Sequence, residues 1–136
     1  MHVLAGLNGS TILDDRYNSS PASLSGALQM LGGLRGRRIA LIGHMAELGE
    51  HEVAEHEAAG RVAATTCNIL VTAGELARIL ADTARSAGHP DVRTFDTKEE
   101  AAEAVRDLLR EGDYVLVKAS RGQAFETIVP MLEVRE

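Results

Sequence analysis

Three continuous apolar runs constrain this chain most: Arg38-Ile39-Ala40-Leu41-Ile42, Ile69-Leu70-Val71 and Tyr114-Val115-Leu116-Val117. A strand that is apolar on both faces must be covered on both faces. That is the pattern of a parallel sheet lying between helices. Thr11-Ile12-Leu13 and Val92–Phe95 bring the strands to five, and helical stripes separate them. The first predicted helix runs from about Pro21 to Leu34, with Ser20 as its cap and Pro21 at the first position. Leu24, Leu28 and Leu31 share one face, and Gly32-Gly33 helps end it. An Ala-rich helix follows from about Glu50 to Ala64. Thr72 and Glu75 have capping-box spacing ahead of Leu76, Ile79, Leu80 and Ala84, and Gly88 closes that stripe. Thr97 and Glu100 repeat the spacing ahead of Val105, Leu108 and Leu109, and Gly112 stops the helix. A last helix is expected through Phe125, Ile128, Val129 and Leu132, with Pro130 inside it to kink or shorten it.

Five β-α units of this kind predict one α/β domain: a Rossmann-like, doubly wound, mainly parallel sheet with helices on both faces. His2-Val3-Leu4 can add an edge strand. The 136 residues suit a single domain with a real core. The net charge of −6, with no basic block, argues against nucleic acid or an anionic membrane as partner. Two Tyr, two Phe and no Trp leave little for base stacking. The single cysteine, Cys67, excludes an internal disulfide and opens an apolar run, so it reads as a small core residue in a reducing compartment. No apolar stretch approaches the roughly 20 residues of a membrane span, and the N-terminus lacks a signal-peptide core. A cytoplasmic location is the expectation.

In a doubly wound sheet, ligands bind beyond the carboxyl ends of the strands. Three of those ends are polar here. Asp14, Asp15 and Asn18 follow the first strand, within Asp14-Asp15-Arg16-Tyr17-Asn18-Ser19-Ser20-Pro21. Gly43, His44, Met45, Glu47 and Gly49 follow the second. Lys118, Ser120 and Arg121 follow the fifth. One edge would then offer carboxylates that accept from ribose hydroxyls, and cations that hold a carboxylate or phosphate. The chain has neither G-x-x-x-x-G-K-[ST] nor G-x-G-x-x-G, so it shows no cradle for a nucleoside triphosphate. His51 and His56 lie five apart on a helix, about 140° around its axis, where a zinc helix needs four. No metal site is expected. His2 and His89 read as surface residues, which leaves His44 as the one histidine at the site.

In this order the three segments resemble the C-terminal domain of the Mur ligases. That family carries Asp-Asp-x-Tyr-Asn-Ala-Asn-Pro, here Asp14 to Pro21. It carries Gly-Asp-Met-x-Glu-Leu-Gly, here Gly43-His44-Met45-Ala46-Glu47-Leu48-Gly49, with a histidine on the next helix, here His56. It also carries Val-Lys-Gly-Ser-Arg, here Val117-Lys118-Ala119-Ser120-Arg121. The resemblance covers nearly the whole chain, and is strongest to the member that adds D-Ala-D-Ala to a UDP-muramoyl tripeptide. It implies that 1–136 is a single Mur ligase C-terminal domain, with the central ATPase domain and the N-terminal UDP-substrate domain outside it. It implies an acyl phosphate made with ATP and Mg²⁺, both bound mainly by the central domain. It implies a peptidoglycan pentapeptide precursor as the product.

Carried over by position, the resemblance makes Asp15 a ribose ligand of ATP and brings Asn18 near the phosphates. Lys118, Ser120, Arg121 and His44 become substrate-binding, with Lys118 or Arg121 holding the dipeptide carboxylate. No catalytic residue falls on this domain alone. Its expected partners are the UDP-muramoyl tripeptide, D-Ala-D-Ala and the central domain of the same ligase. Two departures from the family matter: His44 stands for Asp and Ser20 for Asn. They leave open a sister ligase with another amino-acid acceptor. A receiver-type signalling domain also fits Asp14, Asp15 and Lys118. It lacks its phosphoacceptor, since Thr72-Ala73-Gly74 stands where an Asp should end the third strand. A stand-alone binding module with this fold is the remaining alternative.

Overall fold

The structure is a computed structural model and describes residues 1–134. The last two positions of the expected 1–136 domain lie outside the described residues. Among the described residues six strands form one sheet: β1 (His2–Ala5), β2 (Thr11–Asp15), β3 (Arg38–Ile42), β4 (Ile69–Ala73), β5 (Val92–Phe95) and β6 (Tyr114–Lys118). Their spatial order is β1-β2-β6-β3-β4-β5, with β1 antiparallel at the edge and every other pairing parallel. Four helices connect them: α1 (Pro21–Gly32), α2 (Glu52–Thr66), α3 (Ala77–Ser86) and α4 (Lys98–Leu108).

Strand alternation sorts the core into two layers. Leu13, Ala40, Ile42, Leu70 and Leu116 face α1, α2 and α3. Ile12, Ile39, Leu41, Val71, Val115 and Val117 face α4 and the C-terminal turns. Both faces are covered, as the unbroken apolar runs require. Cys67 is buried, and that burial pushes its thiol up to about 12, which makes it inert as a nucleophile. Among the described residues no helix is long and apolar enough to cross a membrane.

The helix ends test the capping expectations. The Ser20 hydroxyl accepts from the Ser23 N–H at 3.2 Å, and the Ser23 hydroxyl accepts from the Ser20 N–H at 2.9 Å, a reciprocal box with Pro21 at the first position. Thr97 caps α4 through the Glu100 N–H. Thr72 does not cap α3. It is fully buried in β4, and α3 starts only at Ala77, with no side-chain cap. Ala73 is also fully buried, so core packing extends the strand over the residue that would have served as the cap.

The expected last helix is absent. Three 3₁₀ turns take its place: Arg121–Gln123, Phe125–Thr127 and Val129–Met131. Ala124 has a left-handed φ of 55°, which breaks the helix between the first two turns, and Pro130 has no N–H to donate within it. Phe125, Ile128, Val129 and Leu132 are still fully buried, because the apolar pattern survives the change of winding. His89 is also not a surface residue. It is 5% exposed, its Nδ1 accepts from the Asp91 N–H, and its Nε2–H therefore donates to the Cys67 carbonyl at 2.8 Å.

Helices α2 and α3 meet at Gly60. A Cβ there would lie 2.4 Å from the Leu80 carbonyl oxygen and 2.8 Å from the Thr83 Cβ. Gly60→Ala is therefore expected to destabilise the chain by about 2 kcal/mol despite alanine's better helix propensity. Urea unfolding checks this, and an unchanged midpoint would contradict it.

Candidate functional site

Insertion of β6 between β2 and β3 is what assembles the site. Asp15 and Ile42 both lie level with Lys118 across the sheet. The three polar segments therefore leave adjacent strand ends at one edge, although Asp15 and Lys118 are 103 residues apart in sequence.

Lys118 organises the first segment. Its side chain is only 2% exposed, and its ammonium donates to Asp15 Oδ2 at 2.7 Å and to the Asn18 carbonyl at 2.8 Å. It is thus engaged within the protein, as a strut that holds the Asp15–Asn18 turn. Asp14, the other member of the acidic pair, is buried. Its Oδ1 accepts from the Arg16 N–H, and burial pushes its carboxyl above the usual range despite the nearby Arg16 cation. Asp14 shapes the turn, while Asp15 is left 27% exposed at its rim.

The second segment is pinned from behind. The Met45 N–H donates to His56 Nε2 at 3.0 Å, so the proton sits on Nδ1, which donates to the Glu52 carbonyl at 2.7 Å. His56 is fully buried and anchors the loop rather than holding a metal. Glu47 takes a left-handed φ of 61° at the loop's exposed tip. His44 is half-buried. Its own N–H is held by Gln123 Oε1 at 2.6 Å, and its C=O accepts from the Ser120 N–H at 2.9 Å.

Tyr17, Asn18, Ala46, Glu47, Ser120, Arg121 and Gly122 line a cleft of about 480 Å³. All three segments contribute to it. Arg121 and Asn18 are exposed there, and the Arg16 guanidinium sits 5.1 Å from the Tyr17 ring centroid. The Ser120 hydroxyl is buried and has no hydrogen-bond partner. Of the residues expected from sequence, Asn18, Ser120 and Arg121 reach the cleft. Asp15 and Lys118, joined as an ion pair, and His44 are not among its lining residues. Sequence reading passed over Tyr17 as a lining residue and missed Gln123. Among the described residues no cluster of three or more His, Cys, Asp or Glu could hold a metal ion.

Burial, then the nearby His56, holds the His44 imidazole below its ordinary value of 6.5, with Glu52 opposing them. On acidification the unfolded chain therefore takes up this proton before the folded one. Stability falls as pH drops through the ordinary histidine range. His44→Gln should lose less stability than the parent between about pH 7.5 and about pH 5.5. Urea titrations at both values check this, and equal losses would contradict it.

Chains similar to this one are known. Residues 1–121 match the family model described as "Mur ligase, glutamate ligase domain". The chain belongs to the Mur ligase family. It is 33% identical over 126 residues to the UDP-N-acetylmuramoyl-tripeptide–D-alanyl-D-alanine ligase of Bacillus subtilis, a match that covers 90% of this chain and 28% of that protein. The ligase of the same name from Mycobacterium leprae is 30% identical, with 97% and 29% covered. Among solved structures, the MurF ligase of Thermotoga maritima in complex with ADP superposes with a TM-score of 0.81 at 26% identity, covering 96% of this chain and 29% of that one. MurF from Acinetobacter baumannii gives 0.84 at 25%, with the same coverage. The chain thus spans under a third of the length of these relatives.

Proposed function

We propose that this chain is the C-terminal domain of an ATP-dependent ligase that joins D-Ala-D-Ala to a UDP-muramoyl tripeptide, yielding the pentapeptide precursor of peptidoglycan. The observation that carries the reading is the cleft at the sheet's carboxyl edge, where exposed Arg121 meets Asn18 and Tyr17. The Mur relatives named for this reaction support it. In this reading the terminal phosphoryl of ATP passes to the tripeptide carboxylate, giving an acyl phosphate and ADP. The dipeptide amine then attacks the acyl carbon. A C–N bond forms, the C–O bond to phosphate breaks, and phosphate leaves while the nitrogen sheds its proton.

This chain's residues bind and place the reactants. Arg121 holds the dipeptide carboxylate with charge-assisted hydrogen bonds. That role passes to Arg121 rather than Lys118, whose ammonium already serves Asp15 and Asn18. The free Oδ1 of Asp15 accepts from the ATP ribose, and Asn18 approaches the phosphates. Closure over the central domain excludes water from the acyl phosphate and brings the amine into line. Among the described residues no cluster of three or more His, Cys, Asp or Glu is available to hold a metal ion, so no step is assigned to a metal here.

Amide NMR during titration with D-Ala-D-Ala tests the site assignment. Shifts are expected at Ser120–Gly122 and Tyr17–Asn18. Shifts confined to the opposite edge of the sheet, around Asp91 and Asp113, would overturn it.

A further inference from the structure

Gln123 carries no charge, lies outside the cleft lining and belongs to no sequence motif, yet its carboxamide bonds to the ends of two neighbouring strands. Its Oε1 accepts the His44 N–H at 2.6 Å, at the end of β3. Its Nε2 donates to the Ala73 carbonyl at 3.1 Å, at the end of β4. The amide orientation is fixed by these partners, since a flipped group would set donor against donor and acceptor against acceptor. The turn that bears Gln123 follows β6 and carries Arg121.

The surroundings are shaped around this carboxamide. A Cβ on Gly43 would lie 2.0 Å from Gln123 Oε1 and 2.6 Å from the Ala119 Cβ. A Cβ on Gly74 would lie 3.3 Å from Nε2, and Gly74 has a φ of +95°. From the other side, the Lys98 ammonium at the start of α4 donates to the carbonyls of Gln123 and Ala124 at 2.9 and 3.1 Å. The turn is gripped on both sides, immediately beside an exposed arginine.

We propose that Gln123 is a positioning residue of the dipeptide site: its carboxamide ties the ends of β3 and β4 to the turn that presents Arg121. This rests on the dipeptide reading above. A cation recognises a carboxylate at useful strength only when its backbone is held in register, because ordering a loose turn on binding opposes affinity. Gln123 supplies that order without touching the ligand.

The test uses Gln123→Met, which fills the same space without hydrogen bonds, and Gln123→Glu, which keeps an acceptor for His44 but turns an oxygen toward the Ala73 carbonyl. Hydrogen exchange at the His44 amide is measured in this chain. KM and kcat for D-Ala-D-Ala are measured with the chain joined to the central and N-terminal Mur ligase domains. Gln123→Met should speed His44 exchange about tenfold, the scale of one hydrogen bond. It should raise KM about tenfold at nearly constant kcat. Gln123→Glu should keep most of the His44 protection and still raise KM. Unchanged His44 exchange in Gln123→Met would overturn the tie. Faster exchange with unchanged KM, while Arg121→Ala still raises KM, would overturn the positioning role and leave the dipeptide reading standing. An Arg121→Ala enzyme with the parent KM would overturn the dipeptide reading, and the positioning role with it, whatever His44 exchange shows.

Discussion

Replacing Asp15 with alanine is expected to lower the stability of this chain by about 3 kcal/mol. The loss comes from what remains behind. The Lys118 side chain is 2% exposed, and without the carboxylate its ammonium keeps only the Asn18 carbonyl and its backbone surroundings. Breaking a buried pair costs about 3–5 kcal/mol, and the 27% exposure of Asp15 places this one at the lower end because water can partly replace it. Adding Lys118→Met to Asp15→Ala removes the stranded charge and should recover most of the loss. The double variant would keep its stability while losing the strut that holds the Asp15–Asn18 turn. Urea unfolding of the parent, both single variants and the double variant measures the coupling. A loss below about 1 kcal/mol in Asp15→Ala, the scale of a surface pair, would contradict the burial argument.

If the dipeptide proposal holds, Arg121→Ala is expected to raise KM for D-Ala-D-Ala about 100-fold and to leave kcat within several-fold of the parent. Charge-assisted hydrogen bonds to a carboxylate contribute about 1.5–3 kcal/mol, and about 2.7 kcal/mol corresponds to two decades. The dipeptide carboxylate does not change as the amide forms. Its partner therefore binds ground state and transition state alike, which is the pattern that moves KM alone. Arg121→Lys keeps the charge but loses the planar fork, and should recover part of the affinity. Lys118→Ala should behave differently: it slackens the turn that carries Tyr17 and Asn18, so kcat and KM both suffer. An unchanged KM in Arg121→Ala would move carboxylate recognition to another group.

The core was legible because burial on two faces leaves a plain mark. The runs Arg38–Ile42, Ile69–Val71 and Tyr114–Val117 could pack only between helical layers, and they do. The polar strand ends were legible for a related reason: neither Asp15 nor Arg121 has a use inside such a core. What sequence could not give was partnership across distance. Lys118 reads as a free cation until β6 is known to insert beside β2, which brings it level with Asp15. His56 reads as half of a failed metal pair until the Met45 N–H reaches its ring. Gln123 has no pattern to betray it, since a glutamine after a strand is ordinary until two loop ends converge on its amide. The last helix failed on local chemistry: apolar spacing at Phe125, Ile128, Val129 and Leu132 is served by 3₁₀ turns, and Pro130 and the left-handed Ala124 favour them.

The identity of the amine separates a dipeptide ligase from its sisters. The chain, joined to the central and N-terminal Mur ligase domains, is supplied with ATP, Mg²⁺ and UDP-muramoyl tripeptide, and phosphate release is followed with each of several amines. D-Ala-D-Ala should support rapid release and yield the pentapeptide, while D-Ala, L-Ala and D-Glu should leave release at background. Turnover with a single amino acid and none with D-Ala-D-Ala would contradict the account and assign this domain to a sister ligase.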